Sequence, residues 1–84
     1  MLDLPRVEIK YCADCGYFSQ ASWIGNELNQ AFGTELAITL TPVSEGRLEV
    51  YLEDSLLFDR ESAGHYPNYE DITRLKIDIR EEIE

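Results

Sequence analysis

The only two cysteines of this 84-residue chain, Cys12 and Cys15, form a Cys-x-x-Cys motif. Such a pair can bind a metal, exchange disulfides with another thiol, or pack as two small apolar side chains. In disulfide exchange one thiolate attacks an external disulfide, and the second sulfur then resolves the mixed disulfide. Two intervening residues bring the sulfurs close enough for both steps, so the flanking elements decide which chemistry is available.

The cysteine pair lies between a predicted strand and a predicted helix. Residues 6–10 alternate apolar and polar side chains, which is typical of a strand. After Gly16, apolar residues recur at intervals of three and four and predict an amphipathic helix that ends before Gly33. Its predicted buried stripe comprises Tyr17, Ala21, Ile24, Leu28 and Ala31, with Phe18 and Phe32 beside it. Unpaired N–H groups and the helix dipole at such a helix start favour a thiolate.

Three further strands follow the first helix. Residues 36–41 are rich in β-branched and aliphatic side chains, and Pro42 is expected to close this strand. Residues 47–52 alternate strictly, with apolar side chains on one face only. A tight turn then leads into residues 56–61, so the last two strands are predicted to form an antiparallel hairpin.

The predicted C-terminal helix completes a β-α-β-β-β-α order over one domain, residues 1–84. Asn68 is its expected N-cap with Asp71 as reciprocal partner, and apolar residues at helical spacing follow. A right-handed crossover makes the first two strands parallel, and the hairpin adds antiparallel strands. The sequence therefore predicts a thioredoxin-like α/β fold: a two-layer sandwich with a mixed sheet.

Composition narrows the classes of partner. The formal net charge is −10, and the seven basic residues are scattered, which argues against binding to nucleic acid or to an anionic membrane surface. No apolar run approaches the roughly 20 residues of a membrane span, and residues 1–6 lack the pattern of a secretory signal. We therefore expect a cytoplasmic protein. In a reducing compartment a closely spaced pair is more often a redox or metal site than a structural crosslink.

The sequence offers two alternatives to a redox pair. A zinc site needs four ligands, and beyond the cysteines the chain offers only His65 and carboxylates, so neither a metal nor another bound cofactor is expected. Two buried thiols without chemistry are the second alternative. His65 lies in a loop and is expected to be a solvent-facing turn residue rather than a proton donor.

Four residues are candidates for partner docking: Gly16, Tyr17, Trp23 and His65. Tyr17 also belongs to the predicted core stripe, whereas Trp23 falls off it and is the better candidate for an exposed contact. A binding module in which the cysteines act as a redox-sensitive latch is thus the alternative function. A weak homodimer through residues 56–61 or the exposed aromatic side chains is compatible with either function.

Three segments resemble, in order and spacing, those of the selenoprotein W/T/H-type Rdx family: VEIKYCADCGY, ASWIGNELNQAFG and GRLEVYLEDSLLFDRESAGHYP. The resemblance covers residues from about Val7 to Ile83. It implies a thioredoxin-like fold, a cytosolic setting and a thiol redox role linked to glutathione or thioredoxin. The implied partner is a redox protein or glutathione, the latter as co-substrate.

The resemblance also suggests roles for the two sulfurs. Cys12 takes the position of the family's first cysteine, and Cys15 takes the position occupied by selenocysteine in selenium-containing members, which implies that Cys15 is the more reactive. In a thioredoxin motif the first cysteine attacks, which instead favours Cys12. The sequence leaves both assignments open.

Overall fold

The computed structural model describes residues 3–84, which form four strands and three α-helices. A 3-10 turn at Gly33–Glu35 joins the first helix to the second strand. In chain order the elements are β1 Arg6–Cys12, α1 Phe18–Phe32, β2 Ala37–Val43, β3 Leu48–Leu52, β4 Ser55–Asp59, α2 Arg60–Ala63 and α3 Tyr69–Ile83. The predicted order of strands and long helices is confirmed, and the short α2 is an addition.

The four strands form one mixed sheet in the order β2-β1-β3-β4. The central strand β1 runs parallel to β2 and antiparallel to β3, and β4 pairs antiparallel with β3. In this register Ile9 lies opposite Leu40 on one side and Val50 on the other. The parallel crossover and the antiparallel hairpin agree with the predicted thioredoxin-like arrangement.

The hydrophobic core lies between the sheet and the two long helices. Helix α1 packs on β1 and β2, α3 packs near β4, and the two helices contact each other. The predicted stripe of α1 is confirmed at Ala21, Ile24 and Leu28 but is wrong at Ala31, which is exposed. The larger Phe32 is buried in its place. The core side chains are Val7, Ile9, Ala21, Ile24, Leu28, Phe32, Leu36, Leu48, Val50, Leu52, Phe58, Ile72, Leu75 and Ile79.

Three predicted strand ends are wrong. Strand β1 continues two residues beyond Lys10 to Cys12, so the first cysteine belongs to the strand. Strand β2 continues through Pro42 to Val43, because an edge strand tolerates a residue that has no N–H to donate on its outer side. Strand β4 ends at Asp59, two residues earlier than predicted. The Asp59 carboxylate accepts hydrogen bonds from the Glu61 N–H at 3.2 Å and the Ser62 hydroxyl at 3.0 Å. This cap starts α2 where the sequence suggested continued strand.

The predicted start of α3 and the predicted end of α1 are confirmed. The Asn68 side chain accepts a hydrogen bond from the Asp71 N–H at 3.0 Å, and the Asp71 carboxylate accepts one from the Asn68 N–H, also at 3.0 Å. This capping box fixes the start of α3. At the end of α1, Gly33 has φ of 55°, a value that glycine adopts with little strain.

Gly25 is buried in the middle of α1, where it offers a test of the helix–sheet packing. A Cβ atom at this position would lie 3.7 Å from Ile38 and Leu40 and 3.8 Å from Ile9, which is ordinary van der Waals contact. Because alanine is the better helix former, we expect Gly25→Ala to raise the free energy of unfolding by about 0.5–1 kcal/mol in urea titrations.

Gly16→Ala is the contrasting control. Gly16 has φ of 77°, so an alanine there is strained even though the space is open, and we expect a loss of stability of about 1 kcal/mol. If Gly25→Ala destabilises the protein as much as Gly16→Ala does, α1 packs closer to the sheet than these separations of 3.7 and 3.8 Å imply.

Among residues 3–84, no helix combines the length and the hydropathy needed to cross a membrane.

Candidate functional site

The two cysteines are joined by a disulfide at the end of the central strand. Cys12 is the last residue of β1, Cys15 lies in the turn that follows, and their Cα atoms are 5.3 Å apart. Two backbone hydrogen bonds close the turn, from the Gly16 N–H to the Ala13 carbonyl at 3.2 Å and from the Tyr17 N–H to the Cys12 carbonyl at 3.3 Å. We call residues 12–17 the disulfide loop.

The two cysteines differ in exposure. Cys12 is only 2% exposed, whereas Cys15 is exposed to solvent. The Cys12 N–H donates to the Arg47 carbonyl at 2.7 Å, and the Ala13 N–H donates to the Val43 carbonyl at 3.2 Å. The end of β2 and the residue before β3 therefore both hold Cys12 in place. An external reagent therefore meets Cys15 first. This arrangement does not match the alternative of two buried, inert thiols.

The position of the pair between β1 and α1 is confirmed, but its relation to the helix dipole differs from the prediction. The first residue of α1 is Phe18, three positions after Cys15, with Tyr17 at the N-cap. The electrostatic effect of a helix terminus falls off within its first turn. Because neither cysteine belongs to that turn, the dipole stabilises a thiolate less than the sequence suggested.

A cluster of two tyrosines and one arginine adjoins the disulfide loop. The Tyr17 and Tyr66 hydroxyl oxygens are 3.4 Å apart, and their rings meet edge to face with centroids 5.7 Å apart. The Arg60 guanidinium carbon lies 5.6 Å from the Tyr17 ring centroid and 5.7 Å from that of Tyr66. The hydrogen bond with Tyr66, together with desolvation, raises the pKa of the Tyr17 phenol even though Arg60 acts in the opposite direction. We call these three residues the Arg60 cluster.

The four docking candidates occupy different places. Gly16 and Tyr17 belong to the disulfide loop. Trp23 is half-buried against the core and meets Tyr69 of α3 edge to face, with ring centroids 5.4 Å apart. Trp23 thus contacts α3 and the core. Its position off the buried stripe predicts a more exposed side chain.

His65 lies in the exposed loop before α3, in agreement with its predicted position. Its Nε2 atom is 2.9 Å from an oxygen of Asp71, the residue that completes the α3 capping box. Within residues 3–84, no three histidine, cysteine or acidic side chains come together in a way that could hold a metal ion. The contact with Asp71 joins His65 to the first turn of α3.

A second charged group starts at Arg47, whose backbone carbonyl accepts the Cys12 N–H, and it is internally neutralised. The Arg47 guanidinium donates two hydrogen bonds of 2.9 Å to the Glu49 carboxylate, which also accepts one from the Tyr51 hydroxyl at 3.0 Å. Hydrogen bonding to Arg47 holds the pKa of Glu49 below its usual value. The positive charge of Arg47, just before β3, is thus already matched by the carboxylate of Glu49 on that strand.

Sequence reasoning missed Arg60 and Tyr66 as neighbours of the cysteine motif. Both lie in the segment GRLEVYLEDSLLFDRESAGHYP. The resemblance of this segment to a known family is the one signal in the sequence that connects these residues with the function. Their distance in sequence from Cys15 gives no indication that they adjoin the disulfide loop.

Comparisons with known proteins agree with the fold. A family model described as the Rdx family matches residues 6–78. A selenoprotein W-related protein from Vibrio cholerae is 26% identical and superposes with a TM-score of 0.86 over 98% of this chain and 100% of that chain. A protein from Bordetella parapertussis is 28% identical, with a TM-score of 0.80 over 92% and 98%. A search of curated proteins gave no match.

Proposed function

This chain belongs to the Rdx family, the selenoprotein W-like group of redox-associated proteins, and from that premise we propose that it is a thiol-disulfide redox protein. The observation that carries the proposal is the disulfide between one exposed and one buried cysteine. An exposed sulfur can attack or be attacked by an external sulfur, and a buried neighbour can resolve the product without meeting solvent. We therefore assign Cys15 as the attacking cysteine and Cys12 as the resolving one.

The reduced protein would act in two steps. The Cys15 thiolate attacks one sulfur of an external disulfide, and the other external sulfur leaves as a thiolate that takes up a proton. The Cys12 thiolate then attacks the Cys15 sulfur, which forms the Cys12–Cys15 disulfide and releases the second external sulfur as a thiol. Two electrons pass from the pair to the external disulfide, and no bound cofactor takes part.

Regeneration of the pair needs two electrons from outside. We propose that glutathione or a thioredoxin-type protein supplies them in the cytoplasm, where such thiol systems keep cysteines reduced. An exposed Cys15 supports this scheme because the reducing thiol must reach one sulfur of the disulfide. The proposed class of activity is thus thiol-disulfide exchange with a small thiol or a small redox protein.

The proposal is tested by equilibrating the protein with defined ratios of reduced and oxidised glutathione and reading the loss of two hydrogens by mass spectrometry. We expect a reversible transition with a potential between about −180 and −300 mV, the range of exchange-active dithiols. A pair that stays reduced at every ratio, or that binds zinc stoichiometrically, would overturn it.

A redox-sensitive binding module is the second candidate function. It is favoured by Phe18, which directly follows the disulfide loop and is 55% exposed. Its ring also meets that of Tyr11 edge to face, with centroids 5.5 Å apart, so a change in the loop could alter an apolar contact surface. Turnover separates the two functions, because a latch changes partner binding without repeated exchange.

A further inference from the structure

Arg60 is a half-buried cation without an acidic partner in an acidic protein. The chain has 7 basic and 17 acidic residues. Within residues 3–84, Arg47, Lys76 and Arg80 form ion pairs with carboxylates. In this range Arg60 forms none, as is also true of Arg6, Lys10 and Arg74, but Arg60 is the one that lies next to the disulfide loop. Its charge is therefore not matched in an ion pair, in contrast to that of Arg47, which pairs with Glu49.

The guanidinium of Arg60 is nevertheless held in one place. Its Nε and Nη2 atoms donate to the Gly46 carbonyl at 3.3 and 3.1 Å, and its central carbon lies 5.6 and 5.7 Å from the Tyr17 and Tyr66 ring centroids. A guanidinium has five N–H donors in a rigid fork that matches a carboxylate. Because a carbonyl and two rings fix the group, little conformational entropy is lost when a further acceptor binds.

Both anchors of Arg60 belong to segments that hold the disulfide. The Tyr17 N–H donates to the Cys12 carbonyl, and Tyr17 lies two positions after Cys15. Gly46 immediately precedes Arg47, whose carbonyl accepts the Cys12 N–H. Arg60 thus connects the two segments that hydrogen-bond to the backbone of Cys12, and one of them is the disulfide loop that carries Cys15.

Building on the proposed redox function, we infer that the Arg60 cluster binds a carboxylate of a small anionic thiol of the glutathione type while its sulfur exchanges with Cys15. The net charge of −10 repels any anion, and a fixed guanidinium offsets that repulsion locally. A small anionic thiol is attracted by the nearby positive charge of Arg60. An acidic protein partner would instead be repelled by the negative charge of the whole surface. The favoured ligand is therefore a small molecule.

The exchange step is balanced as follows. The first thiolate attacks the Cys15 sulfur, the Cys12–Cys15 bond breaks, and Cys12 leaves as a thiolate that takes up a proton. A second thiolate attacks the sulfur of the small molecule in the mixed disulfide, which releases the oxidised dimer and leaves Cys15 as a thiol after protonation. The two small thiols lose two electrons, and the cysteine pair gains them.

The first test uses the unmodified protein and two probes, glutathione and glutathione diethyl ester, which lacks free carboxylates. The rate constant of each for reducing the Cys12–Cys15 disulfide is divided by its rate constant with 2-hydroxyethyl disulfide, which corrects for intrinsic thiol reactivity. We expect the corrected rate of glutathione to exceed that of the ester by about fivefold, as an ion pair near a surface allows. If the cationic ester is as fast or faster, the overall negative charge governs the approach and the inference is wrong.

The second test compares Arg60→Gln with Arg74→Gln, which removes the same charge from an exposed position on α3. We expect Arg60→Gln to abolish the preference for glutathione over its ester and Arg74→Gln to retain it. A preference that persists in folded Arg60→Gln refutes the carboxylate site while leaving the redox function intact. If neither probe reduces the disulfide in the unmodified protein, the redox function itself fails.

Discussion

In the Cys12→Ser protein, oxidised glutathione is expected to form a stable mixed disulfide at Cys15. The exposed Cys15 thiol can still attack, but no second sulfur remains to resolve the product. In the Cys15→Ser protein the remaining thiol is only 2% exposed, so its reaction requires a local opening of the disulfide loop. An opening that costs about 3 kcal/mol would slow the reaction roughly 100-fold. Intact mass measured at timed intervals gives both rates.

Denatured protein provides the control for this comparison. In concentrated urea burial is lost, so both single variants should react with oxidised glutathione at similar rates. A native Cys15→Ser protein that reacts as fast as Cys12→Ser would show that burial does not protect Cys12. The thioredoxin order of attack, in which the first cysteine is the nucleophile, would then apply to this protein.

The second large effect concerns the packing of α3. Leu75 is 1% exposed and lies in the core between the helices and the sheet. Removing three buried carbon atoms and leaving a cavity costs about 2–5 kcal/mol, a large part of the roughly 5–15 kcal/mol that stabilises a typical domain. We expect Leu75→Ala to lower the urea midpoint accordingly and the melting temperature by about 4–8 °C per kcal/mol.

Leu56→Ala is the matched control, because Leu56 on β4 is 51% exposed. The same chemical change at this surface position should alter the free energy of unfolding by only about 0.5 kcal/mol. Equal losses for the two variants would contradict the packing of α3 against the sheet. Both proteins retain the cysteine pair, so their disulfide content can be checked by mass before each titration.

The features that could be predicted from the sequence are those encoded locally. Alternation placed Val7 and Ile9 on one face of a strand, and both are buried. The capping box at Asn68 and Asp71 was found because its partners lie three residues apart. The position of the Cys-x-x-Cys motif between a strand and a helix is predicted because apolar residues alternate before it and recur every three or four residues after it.

The errors arise where tertiary context decides. Whether Pro42 ends a strand depends on whether that strand lies at the edge of the sheet, which local sequence does not show. Trp23 falls off the predicted stripe of α1, yet α3 supplies Tyr69 to cover it. The Arg60 cluster joins Tyr17 to two residues more than 40 positions later in the chain, so no local spacing pattern could have predicted it.

The two edge strands of the sheet, β2 and β4, limit edge-to-edge strand pairing between copies of this chain. Strand β2 stays paired with β1 through Val43. Because Pro42 has no N–H, the outer edge of β2 lacks one hydrogen-bond donor for pairing with another strand. On the opposite side β4 has only five residues, and its register with β3 shifts between Val50 and Tyr51. Short, irregular or proline-containing edges are poor templates for growth into fibrils. A fold with two uncovered edges can thus expose its reactive loop without offering long strands for polymerisation.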